Sequence, residues 1–227
     1  MSGPKRFQNA PDLLPIIHHA QLDPHANDEA LHEACNAARH FELGGFCTYP
    51  DRLTIARKLL GPACNTQLVA AIGFPFGVTP ASLKLAEAEW AADRGADTID
   101  LVPGFRALHN GCSDAFAEEI ATVSAIGLPV YVVLDVTRLP EEKLALAIEA
   151  AIDAGAVGIQ NGNGFGSTVN DTQIKNLAKL CRGRCAIKAV GGVRSLDQVL
   201  QLVRSGAGLL GTSWGPQLAQ ELRQRQL

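Results

Sequence analysis

One lysine interrupts the apolar run Ala186-Ile-Lys-Ala-Val190, and Gly191-Gly192 follow directly. This pattern brings a desolvated amine to the end of a strand, beside a loop whose backbone N–H groups are free to hold an anion. Such an amine can attack a carbonyl or act as a fixed positive charge. A similar run one unit earlier, Val157-Gly-Ile-Gln-Asn-Gly-Asn-Gly164, carries Gln160 instead. An amide nitrogen is delocalised into its own carbonyl, so Gln160 cannot form an iminium. Asp100 interrupts a third apolar run, Ile99-Asp-Leu-Val102. A carboxylate and an ammonium in such settings are expected to pair, and the same two residues also fit a buried salt bridge with no chemistry attached.

The elements that must position these residues alternate along the chain. Short β-branched runs at 15–20, 44–49, 67–73, 98–103, 130–136, 157–161, 186–190 and 208–212 read as strands. Helical patterns fill 27–41, 50–60, 79–95, 114–127, 140–155, 170–182 and 195–206, and a last helix is expected over 216–227. Gly95, Gly127, Gly155 and Gly206 close four of them and proline opens others, as at Pro50 and Pro140. Eight strand–helix units with short loops predict an α/β fold, a single-domain (β/α)8 TIM barrel over 1–227, with residues 1–12 as an N-terminal extension. An open doubly wound sheet is the alternative. It calls for a glycine-rich turn after the first strand, where this chain has His18-His-Ala-Gln-Leu-Asp-Pro-His25.

In a barrel the site lies at the C-terminal ends of the strands. That selects His18, Cys47, Asp100, Asp135, Gln160, Asn161, Asn163, Lys188, Thr212 and Ser213. The loops Gly191-Gly-Val-Arg194 and Gly211-Thr-Ser213 follow consecutive strands late in the chain, where barrels bind phosphate. His18 and His19 are adjacent on a strand and point to opposite faces, so at most one reaches the site. No carboxylate or cysteine spacing supports a metal centre at His18, His19, His25 or His32. Cys181 and Cys185 flank Arg-Gly-Arg without a nearby histidine, so no metal is expected there either. Cys47 reads first as a buried, inert thiol.

The 227 residues are 47% hydrophobic, enough for one sizeable core. The net charge of −3 comes from well-mixed charges with no basic stripe, so no nucleic-acid partner is expected. No run suits a signal peptide or a membrane span, and six scattered cysteines read as reduced, so the expectation is a cytoplasmic protein. No cofactor is called for, and a homo-oligomer is compatible with the chain.

The runs Leu68-Val-Ala-Ala-Ile-Gly-Phe-Pro75, Ala86-Glu-Ala-Glu-Trp through Thr98-Ile-Asp-Leu-Val102, and Ile187-Lys-Ala-Val-Gly-Gly-Val-Arg194 together resemble the deoxyribose-phosphate aldolase family. The similarity extends from about Ile17 to Ser213 and includes Gly45-Phe-Cys-Thr-Tyr-Pro50 and Ala207-Gly-Leu-Leu-Gly-Thr-Ser213. The resemblance implies cleavage of 2-deoxyribose 5-phosphate to acetaldehyde and glyceraldehyde 3-phosphate through a lysine Schiff base. It implies that Asp100 relays protons and that Lys188 is the family's second lysine. Gly164, Gly191, Gly192, Gly211 and Ser213 would form the phosphate loops, with Arg194 beside them. Where the family has a Lys-Thr-Ser-Thr-Gly type run this chain has Gln160-Asn-Gly-Asn-Gly164, so Gln160 takes the nucleophile's position. The family's Asp-His-Thr reads His18-His-Ala20, and its Glu-Thr reads Asp135-Val136.

Three readings follow. The barrel keeps a phosphorylated sugar or aldehyde as its partner and has weak or no retro-aldol activity. Alternatively, Lys188 forms the Schiff base and Asp100 moves the proton in an active lyase. In the third, the barrel is a structural or regulatory protein with a vestigial site.

Overall fold

The computed structural model describes residues 12–226, so nearly all of the expected extension, 1–12, lies outside the described residues. Eight parallel strands close into a barrel in sequence order. They are β1 (Ile17–Gln21), β2 (Gly45–Thr48), β3 (Gln67–Ile72), β4 (Thr98–Leu101), β5 (Val130–Val133), β6 (Gly158–Gln160), β7 (Ala186–Val190) and β8 (Leu209–Thr212). Among the described residues the helices are α1 (Asp28–His40), α2 (Leu53–Leu60), α3 (Ala81–Asp93), α4 (Phe105–His109), α5 (Ser113–Ser124), α6 (Glu141–Asp153), α7 (Asp171–Cys181), α8 (Leu196–Arg204) and α9 (Gly215–Gln226). The described chain is thus a (β/α)8 TIM barrel, and the open-sheet alternative is excluded by the β1–β8 pairing. None of these helices is long and apolar enough to cross a membrane.

Local chemistry sets the helix ends. Asn27 accepts the Ala30 N–H at 2.9 Å, and Asn170 forms a reciprocal capping box with Gln173. Gly95, Gly127, Gly155 and Gly206 all adopt positive φ after a helix, as the sequence suggests. Sequence periodicity missed α4. It is one five-residue turn lying between β4 and α5, and its N-cap, Gly104, offers no side chain to mark the start.

Strand alternation sorts the core into two layers. Phe46, Leu68, Ile72, Ile99, Val132, Ile159 and Leu210 face the helices in one continuous buried cluster. The opposite parity points into the barrel, where Cys47, Val69 and Ala71 form a small apolar cluster of their own. His18, Asp100, Tyr131, Gln160 and Lys188 share that inward parity. Polar residues therefore occupy the inner layer, and the outer layer carries most of the apolar burial.

Candidate active site

Lys188, expected at the end of its strand, sits in the middle of β7, and its register partner on β6 is Gln160. Its Nζ lies 2.5 Å from Asp100 Oδ2, reaching across the barrel to β4, and the two side chains are 1% and 7% exposed. At such burial the ammonium and carboxylate stabilise each other only as a pair, and removing one leaves a costly isolated charge. Asp100 Oδ2 also accepts a long contact, 3.7 Å, from Cys47 Sγ. Burial, and next the Asp100 charge, push the Cys47 thiol well above its usual range, so it lines the pocket as a neutral thiol.

Tyr131 stands beside this pair. Lys188 Nζ lies 5.7 Å from the tyrosine ring centroid, within cation–π range. The ring fits because its register partner on β6 is Gly158. A Cβ there would come within 2.4 Å of Tyr131 ring atoms. Burial, with a smaller contribution from Asp100, raises the phenol above its usual range. Sequence reasoning did not single out Tyr131, whose inward parity with Asp100 comes from the β4–β5 register.

His18 is the histidine of its pair that enters the barrel, while His19 packs outward against Phe46. Both register neighbours of His18 are glycines, Gly45 and Gly211, which leaves room for the imidazole. A Cβ on Gly45 would lie 2.8 Å from the ring. Burial, and then the Lys188 charge, hold His18 well below the usual histidine range, so it is neutral near pH 7.

These groups line a pocket of about 430 Å³ at the C-terminal end of the barrel. Its walls bring together His18, Cys47, Asp100, Gln160, Asn163, Gly164, Lys188, Gly191, Gly192, Arg194, Gly211, Thr212 and Ser213. Ala20, Leu22, Ala71, Phe74, Val133 and Phe165 supply an apolar side, which a search for polar strand ends does not detect. At the other end, the N–H groups of Gly192, Val193 and Ser213 have no backbone acceptor among the described residues. Arg194 lies over Trp214, with 5.4 Å from guanidinium carbon to ring centroid, and α9 starts at Gly215. Free N–H groups, an arginine and a helix N-terminus form a surface suited to a phosphate.

Two expected pocket residues lie elsewhere. Asn161 follows the last residue of β6 and alternates away from the barrel interior. Its Oδ1 accepts the Val190 N–H at 2.6 Å and its Nδ2 donates to the Val190 carbonyl at 3.0 Å. Asp135 was expected on a strand reaching 136, but β5 stops at Val133. Asp135 instead organises the following turn, accepting from Thr137 Oγ1 at 2.8 Å and pairing with Arg138 at 3.4 Å. It lines a separate cleft with Phe76, Phe105 and His109. Asn163 borders both cavities and is fixed by its Nδ2 bond to the Pro75 carbonyl at 2.8 Å. No group of three or more His, Cys, Asp or Glu among the described residues could hold a metal ion.

No family model matches the chain. Relatives are nonetheless clear. The deoxyribose-phosphate aldolase of Thermosynechococcus vestitus is 37% identical over 205 residues, covering 89% of this chain and 93% of that protein. The deoxyribose-phosphate aldolase of Thermococcus gammatolerans is 31% identical over 220 residues, covering 93% and 97%. Among solved structures, the aldolase QR15 superposes with a TM-score of 0.90 at 27% identity, covering 94% of this chain and 97% of that one. The tetrameric deoxyribose phosphate aldolase from Aeropyrum pernix superposes with a TM-score of 0.82 at 25% identity, covering 93% and 91%. With identity above 30% sustained over nearly the whole of both chains, the chain belongs to the deoxyribose-phosphate aldolase family.

Proposed function

We propose that this protein binds a phosphorylated sugar in its barrel and turns over 2-deoxyribose 5-phosphate weakly or not at all, because Gln160 stands where the family's Schiff-base lysine would be. One observation carries the reading: the two polar side chains facing each other across β6 and β7 are an amide and an ion-paired ammonium. A Schiff base forms when a neutral primary amine adds to a carbonyl and water leaves. The Gln160 amide cannot do this, and the Lys188 ammonium has no lone pair until its proton departs. The phosphate half of the reading rests on Gly191, Gly192, Arg194, Gly211 and Ser213, which line one end of the same pocket, with Gly164 beside them.

A second reading is favoured by the short Lys188–Asp100 contact. Asp100 is placed to take the ammonium proton, freeing Lys188 as the Schiff-base amine of an active lyase. Retro-aldol turnover by wild type, Gln160→Lys and Lys188→Ala, together with borohydride trapping, separates the two. A silent wild type with activity gained in Gln160→Lys supports the first reading. Wild-type turnover with a trapped adduct, both lost in Lys188→Ala, overturns it in favour of the second.

A homo-oligomer belongs to the same proposal, in line with the tetrameric Aeropyrum pernix relative. So does a cytoplasmic setting, since all six cysteines are unpaired, as in a reducing compartment.

A further inference from the structure

Three buried polar atoms on the pocket lining have no hydrogen-bond partner among the described residues: His18 Nδ1, Asp100 Oδ1 and Gln160 Oε1. They belong to β1, β4 and β6, and their residues are 2%, 5% and 4% exposed. Buried polar groups are normally satisfied, and three exceptions around one lysine point to a ligand that completes them. Two of the three are held in place by the bonds their other atoms make. Asp100 gives its other oxygen to Lys188 and Cys47. Gln160 Nε2 donates to the Gly162 carbonyl at 2.7 Å, a bond only the amide NH2 can make, so Oε1 is the end left over.

Carboxylate and amide oxygens only accept, so the ligand must bring donors. A sugar phosphate, the ligand class proposed above, supplies such donors as hydroxyl groups. Apolar side chains stand beside these acceptors in the same pocket: Ala71 is the register partner of Asp100 and Val133 that of Gln160, with Ala20 and Phe74 also on the lining. Acceptors interleaved with apolar side chains match a carbohydrate chain, which presents hydroxyl and C–H groups along the same carbons.

Building on the sugar-phosphate reading above, we propose that the ligand is a phosphorylated aldose or polyol with hydroxyls on the carbons against Gln160 and Asp100, rather than a 2-deoxy sugar phosphate. With the phosphate at Gly192 and Ser213 and carbon 1 at Lys188, the proposal assigns carbon 2 to Gln160, because Gln160 is the register neighbour of Lys188. A methylene there leaves Oε1 buried and unpaired, and a hydroxyl satisfies it.

Calorimetry on the full chain with ribose 5-phosphate, 2-deoxyribose 5-phosphate and inorganic phosphate tests this. Ribose 5-phosphate is expected to bind about tenfold tighter than the 2-deoxy sugar, the equivalent of one well-made hydrogen bond. That preference is expected to collapse in Gln160→Leu, with folding of the variant checked by thermal melting. Equal or tighter binding of the 2-deoxy sugar, with inorganic phosphate still bound, overturns the hydroxyl assignment and leaves the sugar-phosphate reading standing. A preference unchanged in Gln160→Leu overturns the role of Gln160. If none of the three ligands binds, both proposals fall.

Discussion

Asn161 holds Val190 by both backbone groups, accepting its N–H at 2.6 Å and donating to its carbonyl at 3.0 Å. The pair ties the end of β6 to the last residue of β7, immediately before Gly191 and Gly192. An amide side chain is suited to this because it carries a donor and an acceptor at its tip. The residue therefore acts on the pocket from behind, by fixing where the glycine loop begins.

Asn161→Leu should accordingly destabilise the fold by about 1–3 kcal/mol, since it leaves two backbone groups of Val190 unpaired in a partly buried setting. Urea melts measure this, and phosphate affinity should weaken in the same variant. Unchanged stability would mean that water replaces the clamp without loss.

The Lys188–Asp100 pair makes a sharper stability prediction. Lys188→Met or Asp100→Leu alone strands a charge that is almost wholly buried. Each is expected to cost about 3–5 kcal/mol, while the double variant should lie close to wild type, because apolar groups of similar size replace both ions. A double-mutant cycle from urea melts gives the coupling directly. Additive losses would show that the two charges do not depend on each other.

Much of this was legible in the sequence, for identifiable reasons. All eight strands could be seen as β-branched runs between helical patterns, and the stops at Gly95, Gly127, Gly155 and Gly206 fell where positive φ is needed. Lys188 and Asp100 stood out because each is a charged residue inside an apolar run, and Gln160 because the family resemblance implies a lysine at its position. Asn161 was misplaced because it is one step out of phase with the inward-facing Gln160, and Asp135 because β5 ends at Val133, before the apolar pattern does. The apolar side of the pocket, Phe74, Val133 and Phe165, was invisible because such residues look the same in a core and in a ligand site. Tyr131 depended on the glycine opposite it, a cross-strand relationship that register supplies and sequence order does not.

His19 should make stability pH-dependent. Burial lowers its imidazole from 6.5 to about 4 in the folded chain, with only a partial opposing contribution from the Thr212 backbone. Between those values the unfolded chain binds the proton and the folded chain does not, so stability falls as the pH drops through this window and rises as it increases. From pH 7 to pH 5 the loss from His19 alone comes to about 2 kcal/mol. His18 is shifted in the same direction and adds to the trend. Urea melts at pH 7, 6 and 5 should show a shallower slope in His19→Leu than in wild type. Parallel slopes would remove His19 as a source of the dependence.

The turns that leave β3 and β4 for the pocket rest on a second buried ion pair. Lys84 of α3 has a fully buried side chain, and its Nζ lies 2.6 Å from Glu119 Oε1 on α5. The Glu119 carboxylate also accepts the Gly104 N–H with both oxygens at 3.2 Å. The Lys84 stem runs so close to Gly73 that a Cβ there would meet Lys84 Cδ and the Val102 carbonyl oxygen, each at 2.9 Å. Glu87, one turn further along α3, accepts the Gly73 N–H at 2.7 Å. Phe74, which follows Gly73, lines the pocket, so the network sets the height of that wall. Lys84→Met keeps the stem and removes the charge, leaving Glu119 buried without a counter-ion, and should cost about 3–5 kcal/mol. Adding Glu119→Gln removes the stranded charge yet keeps an acceptor for Gly104, so the double variant should recover most of the loss. Urea midpoints of wild type and the two variants check this: a double variant no more stable than Lys84→Met would mean that the ammonium holds the turns through contacts other than Glu119.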